Sequence, residues 1–207
     1  MRIITISRQF GSGGRELGKR LAERLGWDYY DREIIDSLAR AHGYEADFVR
    51  RALANHGWRN VQLSYRNSFS HLLYNPGQQT ELLVREREIL RDIAALGSDC
   101  VIIGRDADVI LEDQHPFRVF ICADIEKRLQ RCMKHEENRP EEERLNERQV
   151  LRNIRRIDRN RARTREILTG RMLRDGSTFD LTVNTTGWEI KKLTSALADF
   201  ALQWFEG

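Results

Sequence analysis

The sequence predicts an α/β fold in which a parallel sheet carries helices on both faces. Three observations carry that prediction. Short, nearly continuous apolar runs, at Ile3–Ile6, Val101–Ile103 and Phe117–Cys122, have the length and character of strands buried on both sides. Between them lie stretches whose apolar residues recur at three- and four-residue spacing, as crossover helices do. The first apolar run also ends at a glycine cluster, Gly11, Gly13 and Gly14, from which a helical pattern starts at once.

The elements follow in order. After the Ile3–Ile6 strand, Leu17, Leu21, Ala22 and Leu25 share one helical face, and Gly26 stops the helix. Trp27–Asp31 fits a brief second strand, and Ile34, Ile35, Leu38 and Ala39 mark a helix ending near Gly43. Residues 44–79 mix aromatics with polar and turn-forming residues, which predicts an inserted helical lobe rather than a layer of the sheet. A long helix is expected from about Thr80 to Leu96, with Leu82, Leu83, Ile89, Leu90, Ile93 and Leu96 on its apolar side. The Val101–Ile103 strand then runs directly into Gly104-Arg105-Asp106-Ala107-Asp108, charged residues at the carboxyl end of a buried strand, where open parallel sheets gather ligands. Phe117–Cys122 is a further strand, with Asp124 placed to cap a helix over Ile125–Met133. The charged stretch 136–148 reads as helical and continuous with a stripe of Leu145, Leu151, Ile154 and Ile157. Phe179, Leu181 and Val183 alternate as a last strand, residues 184–187 turn, and Ile190, Leu193, Leu197, Phe200, Ala201 and Trp204 form a closing amphipathic helix.

Composition narrows the function classes. A chain of 207 residues with 40% hydrophobic and 32% charged residues fits one globular domain. The formal net charge of +3 does not require a nucleic-acid surface, but its distribution is uneven. Residues 152–174 hold nine arginines against only Asp158 and Glu166. That segment lacks the interleaved aromatics a single-strand binder uses for base stacking, so nucleic acid is not an expected partner. Cys100, Cys122 and Cys132 show no CxxC spacing and the five histidines show no ligand spacing, so neither disulfides nor a protein-held metal are expected. Met1 leads straight into a strand and no apolar stretch approaches membrane length, so a cytoplasmic location is expected.

Strand, glycine-rich turn and helix together aim backbone N–H groups and a helix N-terminus at one point, which suits phosphate. Residues 3–26 are therefore a phosphate-loop candidate, against the simpler possibility of a plain connecting turn. The usual loop is Gly, four residues, then Gly-Lys-Ser/Thr. Two registers are open here. If Gly14 is the glycine before the lysine, Arg15 takes the lysine place, Glu16 the hydroxyl place and Gln9 the first-glycine place. If Gly13 is that glycine, Gly14 takes the lysine place and Arg8 that of the first glycine. Neither register supplies a lysine or a Ser/Thr.

Four further segments share an order and spacing with a known family: Tyr30-Asp31-Arg32-Glu33, Ile103-Gly104-Arg105-Asp106, Asp158-Arg159-Asn160-Arg161 and Phe179-Asp180-Leu181-Thr182-Val183-Asn184-Thr185. With the opening Ile-Thr-Ile-Ser-Arg-Gln-Phe-Gly-Ser-Gly-Gly-Arg-Glu, the chain resembles the cytidylate kinase-like family of P-loop nucleoside monophosphate kinases almost end to end. The resemblance implies a P-loop NTPase-type core in a single domain, an acceptor-binding lobe at 44–79 and an arginine-rich lid at about 136–175. It implies transfer of the ATP γ-phosphoryl group, with Mg2+, to a nucleoside monophosphate such as CMP or dCMP. Gly11, Ser12, Gly13, Gly14, Arg15 and Glu16, with Arg8, would hold ATP. Asp31, Arg105 and Asp106 would contact the acceptor; Arg15, Asp158 and Arg161 would serve catalysis. No metal-ligating side chain is assigned, and a homo-oligomer is compatible with the sequence. Three other functions remain open: a nucleotide sensor on the same fold, a kinase of another small phosphate acceptor, and a nucleic-acid module resting on residues 152–174.

Overall fold

The computed structural model describes residues 1–35, 76–173 and 175–207, and of residues 76–83 the backbone alone. Strand β1 (Ile3–Arg8) is buried from Ile3 to Ser7, as a strand covered on both faces must be. It pairs in parallel with β3 (Cys100–Ile103) on one side and β4 (Phe117–Cys122) on the other, so Ile6 faces both Ile103 and Val119. Strand β2 (Asp28–Tyr30) extends the sheet beyond β3, and β5 (Leu181–Asn184) extends it beyond β4. The order is β2-β3-β1-β4-β5, all parallel. The loop after the central strand thus opens at the carboxyl edge, where the chain reverses direction across the sheet.

Helix α1 (Gly14–Leu25) lies against the sheet and ends at the left-handed Gly26, as the sequence indicates. Its Gly18 sits so close to Ile103 and Ile6 that a side chain there would overlap them. Both faces of β4 are covered: Phe117, Val119 and Ile121 join the main core, whereas Phe120 stacks on Phe179 at 5.1 Å beside Leu173. The main core is completed by Ile89, Leu90 and Ile93 of α2 (Pro76–Ala95), by Ala107 of the short α3 (Ala107–Ile110) and by Leu197, Ala198 and Ala201 of α6 (Ile190–Glu206). A second cluster (Phe10, Cys132, Val150, Ile154 and Ile157) joins α4 (Ile125–Glu136) to α5 (Glu147–Thr169) beneath the glycine loop.

Three boundaries differ from the sequence expectation. Helix α2 begins at Pro76 rather than near Thr80, because proline needs no N–H partner in a first turn. Residues 136–148 are not one helix. Helix α4 ends at Glu136, Pro140 and a short 3-10 turn (Glu141–Glu143) intervene, and α5 starts afresh where Asn146 and Gln149 cap each other reciprocally. The buried stripe of α5 is accordingly Val150, Ile154 and Ile157, while Leu145 precedes the helix. The last strand is shorter than expected, with Phe179 ahead of it.

Residues 32–35 are helical, but the rest of the helix expected to end near Gly43 lies outside the described residues, as does the inserted lobe apart from 76–79. Among the described residues, no helix is long and apolar enough to cross a membrane.

Candidate functional site

The loop between β1 and α1 is built by two left-handed glycines, Gly11 (φ 77°) and Gly13 (φ 82°). At both, a Cβ would also have no room: at Gly11 it would stand 3.0 Å from the Arg128 carbonyl and the Cys132 Sγ, and at Gly13 it would press into Ile190. Two loop carbonyls are held from below. Arg128 donates to Phe10 O at 3.1 Å; Arg131 donates to Ser12 O at 3.0 Å, as does the Thr185 hydroxyl at 2.7 Å. With these carbonyls bound, the N–H groups of Gly13 and Gly14 at the start of α1 meet no acceptor among the described residues. Open N–H donors at a helix N-terminus are an arrangement that favours an anion.

Cations line the same edge. The Arg8 side chain leaves the end of β1 and passes over Gly104, whose missing Cβ is what makes room for the guanidinium. Among the described residues no carboxylate or carbonyl accepts from that guanidinium. Burial and the neighbouring Arg161 charge pull its pKa well below the ordinary arginine range. Arg161 donates to Arg8 O at 3.0 Å and lies 5.7 Å above the Phe10 ring. Asp158, one turn earlier on α5, accepts the Phe10 N–H at 2.7 Å and pairs with Arg128 at 2.5 Å. Its carboxylate thus secures the loop to α5.

At the next strand end, Asp31 caps the helical turn that follows β2, accepting from Glu33 N at 3.0 Å and Ile34 N at 3.2 Å. Its other oxygen accepts Arg15 Nε at 2.7 Å, and Arg15 also reaches Glu33 at 2.8 Å. Burial opposes the Arg15 charge, but Glu33 and Asp31 outweigh it and raise the pKa. Beyond β3, Gly104, Arg105 and Asp106 are three successive left-handed residues (φ 76°, 60° and 49°). Left-handed backbone costs a non-glycine residue about 1–2 kcal/mol, so strain is concentrated at the site. Arg105 pairs with the buried Glu86 at 2.8 Å. Arg165, fully buried, binds Asp108 through both terminal nitrogens at 3.0 and 2.7 Å and reaches Asp106 at 3.4 Å. Burial, together with the Asp108 charge, raises the Asp106 pKa.

The loop residues Gly11–Gly14 therefore come together with Arg8, Asp158 and Arg161, whereas Arg15 turns away from the loop toward Asp31. The Glu16 carboxylate is half in solvent and paired with Arg20, one turn further along α1. Of the arginines in 152–174, Arg161 and Arg165 face this edge, while Arg159 and Arg163 are exposed. Sequence reasoning missed Arg128, Arg131 and Thr185. The signal was present in part: the three-residue spacing of Arg128 and Arg131 puts both on one helix face under the loop.

A profile of the cytidylate kinase-like family matches residues 3–187. The chain belongs to that family. Its fold is that of P-loop kinases, and kinases of this family in general use ATP and Mg2+. A search of curated proteins found no match. Among solved structures, an uncharacterized protein from Eubacterium ventriosum is similar over 97% of this chain and 98% of its own, at 21% identity and a TM-score of 0.71. A shikimate kinase from Bacteroides thetaiotaomicron is similar over 96% and 97% of the two chains, at 15% identity and a TM-score of 0.55. A shikimate kinase from Acinetobacter baumannii, solved with shikimate, is similar over 98% and 94%, at 17% identity and a TM-score of 0.53. These likenesses establish the shared fold.

Proposed function

We propose that the chain transfers the γ-phosphoryl group of ATP to a nucleoside monophosphate of the CMP or dCMP kind. The observation that carries it is the meeting of open N–H donors at Gly13 and Gly14 with the guanidiniums of Arg8 and Arg161 at one sheet edge. Phosphoryl transfer needs positioning and charge stabilisation more than covalent help, and guanidiniums bind phosphate oxygens in pairs while staying charged. The residues present fit a triphosphate. They do not make a protein cage for Mg2+: the place after Gly14 holds Arg15, and among the described residues no group of three or more His, Cys, Asp or Glu side chains could hold a metal ion. Magnesium would travel with the nucleotide's own phosphates and its waters.

Arg161 neutralises charge on the transferring group, and Asp158 positions the loop through Phe10 and Arg128. Asp31, Arg105 and Asp106 stand at neighbouring strand ends and face the acceptor. Their charges are already balanced by Arg15, Glu86 and Arg165, so an anionic acceptor would bind by exchanging partners. A second reading, a nucleotide sensor without turnover, is favoured by the missing lysine and Ser/Thr.

Coupled ADP release with Mg-ATP, against CMP, dCMP, UMP, AMP, GMP, shikimate and no acceptor, tests both. Turnover that depends on CMP or dCMP is expected. ATP binding without turnover on any acceptor would favour the sensor, and turnover on shikimate alone would overturn the nucleotide acceptor.

A further inference from the structure

The usual phosphate loop carries glycine at its first position and lysine five residues after the second position of its span, directly behind the last glycine. Helix α1 begins at Gly14, and the left-handed residue just before it is Gly13. This register puts Gly14 where the lysine opens the helix and Arg8 where the first glycine stands. The alternative, with Arg15 as the lysine, is opposed by geometry, because the Arg15 side chain runs to Asp31 and Glu33.

We infer that Arg8 and Gly14 have exchanged the two roles: the cation for the terminal phosphates of ATP comes from β1, not from α1. This rests on the phosphoryl-transfer reading above. Sterics make the exchange reciprocal. A Cβ at Gly14 would stand 2.9 Å from Arg8 Cβ, 3.2 Å from Ile121 Cβ and 3.3 Å from Arg8 Cγ, so a lysine stem at position 14 meets the Arg8 side chain first and forces a shift there. On its other flank the Arg8 guanidinium fills the space a Cβ at Gly104 would need. Arg8 thus runs in a slot between two glycines from different elements. Its stem passes Gly14, where α1 and its open N–H groups begin, and its guanidinium lies over Gly104, with no acceptor for it among the described residues and with Arg161 near it. Among the described residues Arg8 feels the Asp31 and Tyr29 charges only at a distance, while burial and Arg161 weigh against its own charge, and an incoming anion would complete that balance.

The test is calorimetric binding of Mg-ATP and of inorganic tripolyphosphate to the wild type, Arg8→Gly, Gly14→Lys and the Arg8→Gly/Gly14→Lys double variant, with thermal unfolding of each. A charge-assisted contact of this kind predicts a loss on the order of tenfold or more in Arg8→Gly for both ligands. Gly14→Lys alone is expected to lose both affinity and thermal stability through the clash. The double variant, which restores the first glycine and the lysine of the usual loop, should regain most of the wild-type affinity and melting temperature. Wild-type affinity in Arg8→Gly, or a double variant no better than Arg8→Gly, overturns the exchange while leaving the kinase reading intact. A wild type that binds neither ligand overturns the phosphoryl-transfer reading itself.

Discussion

Asp158 accepts the Phe10 N–H at 2.7 Å across 148 residues of sequence, so the middle of α5 and the glycine loop are one hydrogen-bonded unit. The same carboxylate neutralises Arg128, which in turn holds the Phe10 carbonyl. Removing it leaves a buried guanidinium without its counter-charge. Asp158→Ala is expected to cost about 3 kcal/mol of unfolding free energy, and Asp158→Asn less, since an amide oxygen still accepts the Phe10 N–H. Urea unfolding measures both; an Asp158→Ala variant as stable as the wild type would contradict the coupling.

Arg165 is 0% exposed and its charge is met by Asp108, itself 2% exposed. Arg165→Ala strands the Asp108 carboxylate in the interior, and a loss of about 3–5 kcal/mol is expected. The double change Arg165→Met/Asp108→Leu removes both charges at similar volume and should cost far less. Equal losses in single and double variants, read from denaturation midpoints, would mean that the pair is not coupled.

Gly18→Ala sets two effects against each other. Helix propensity favours alanine by about 1 kcal/mol. The added methyl runs into Ile103 Cδ1, and overpacking costs about 1–3 kcal/mol. Net destabilisation is expected, and adding Ile103→Val, which deletes the clashing carbon, should recover part of it. A more stable Gly18→Ala in thermal melts would show that the helix can shift off the sheet.

The Asp106 carboxyl gives a pH signature. Burial and Asp108 raise its folded-state pKa above the unfolded value near 3.8, so its ionised form is penalised on folding. That penalty is complete above the folded pKa and absent below the unfolded one. Asp106→Asn should therefore gain stability relative to the wild type at pH 7, and the gain should shrink as the pH falls toward 4. Denaturant unfolding across that window checks the sign, which reverses if Arg165 dominates the Asp106 charge.

The strands were legible because Ile3–Ile6, Val101–Ile103 and Phe117–Cys122 are buried on both faces and need no alternation to be recognised. The loop was legible because Gly11 and Gly13 occupy backbone that few other residues adopt. Which register it follows was not, since that depends on where α1 starts and on the contact between Arg8 Cβ and position 14. The break before α5 was written in Pro140 and in the Asn146/Gln149 capping pair, but the density of charge around them obscured it. The arginines divided least visibly. Composition presents nine alike, and only helix phase separates Arg161 and Arg165 from the exposed Arg159 and Arg163. Partners such as Thr185 on Ser12 join distant segments, and no local pattern announces them.

That last bond sets a timetable for biosynthesis. Ser12 is made early, yet the hydroxyl that fixes its carbonyl arrives 173 residues later. At typical elongation rates the interval is roughly ten to thirty seconds. Throughout it the glycine-rich segment lacks its Thr185 tether, and β4 lacks its edge neighbour β5. The nascent chain can therefore assemble the centre of its sheet, but its nucleotide cradle sets only when the far edge has been translated, so nucleotide binding would report a late event of folding on the ribosome.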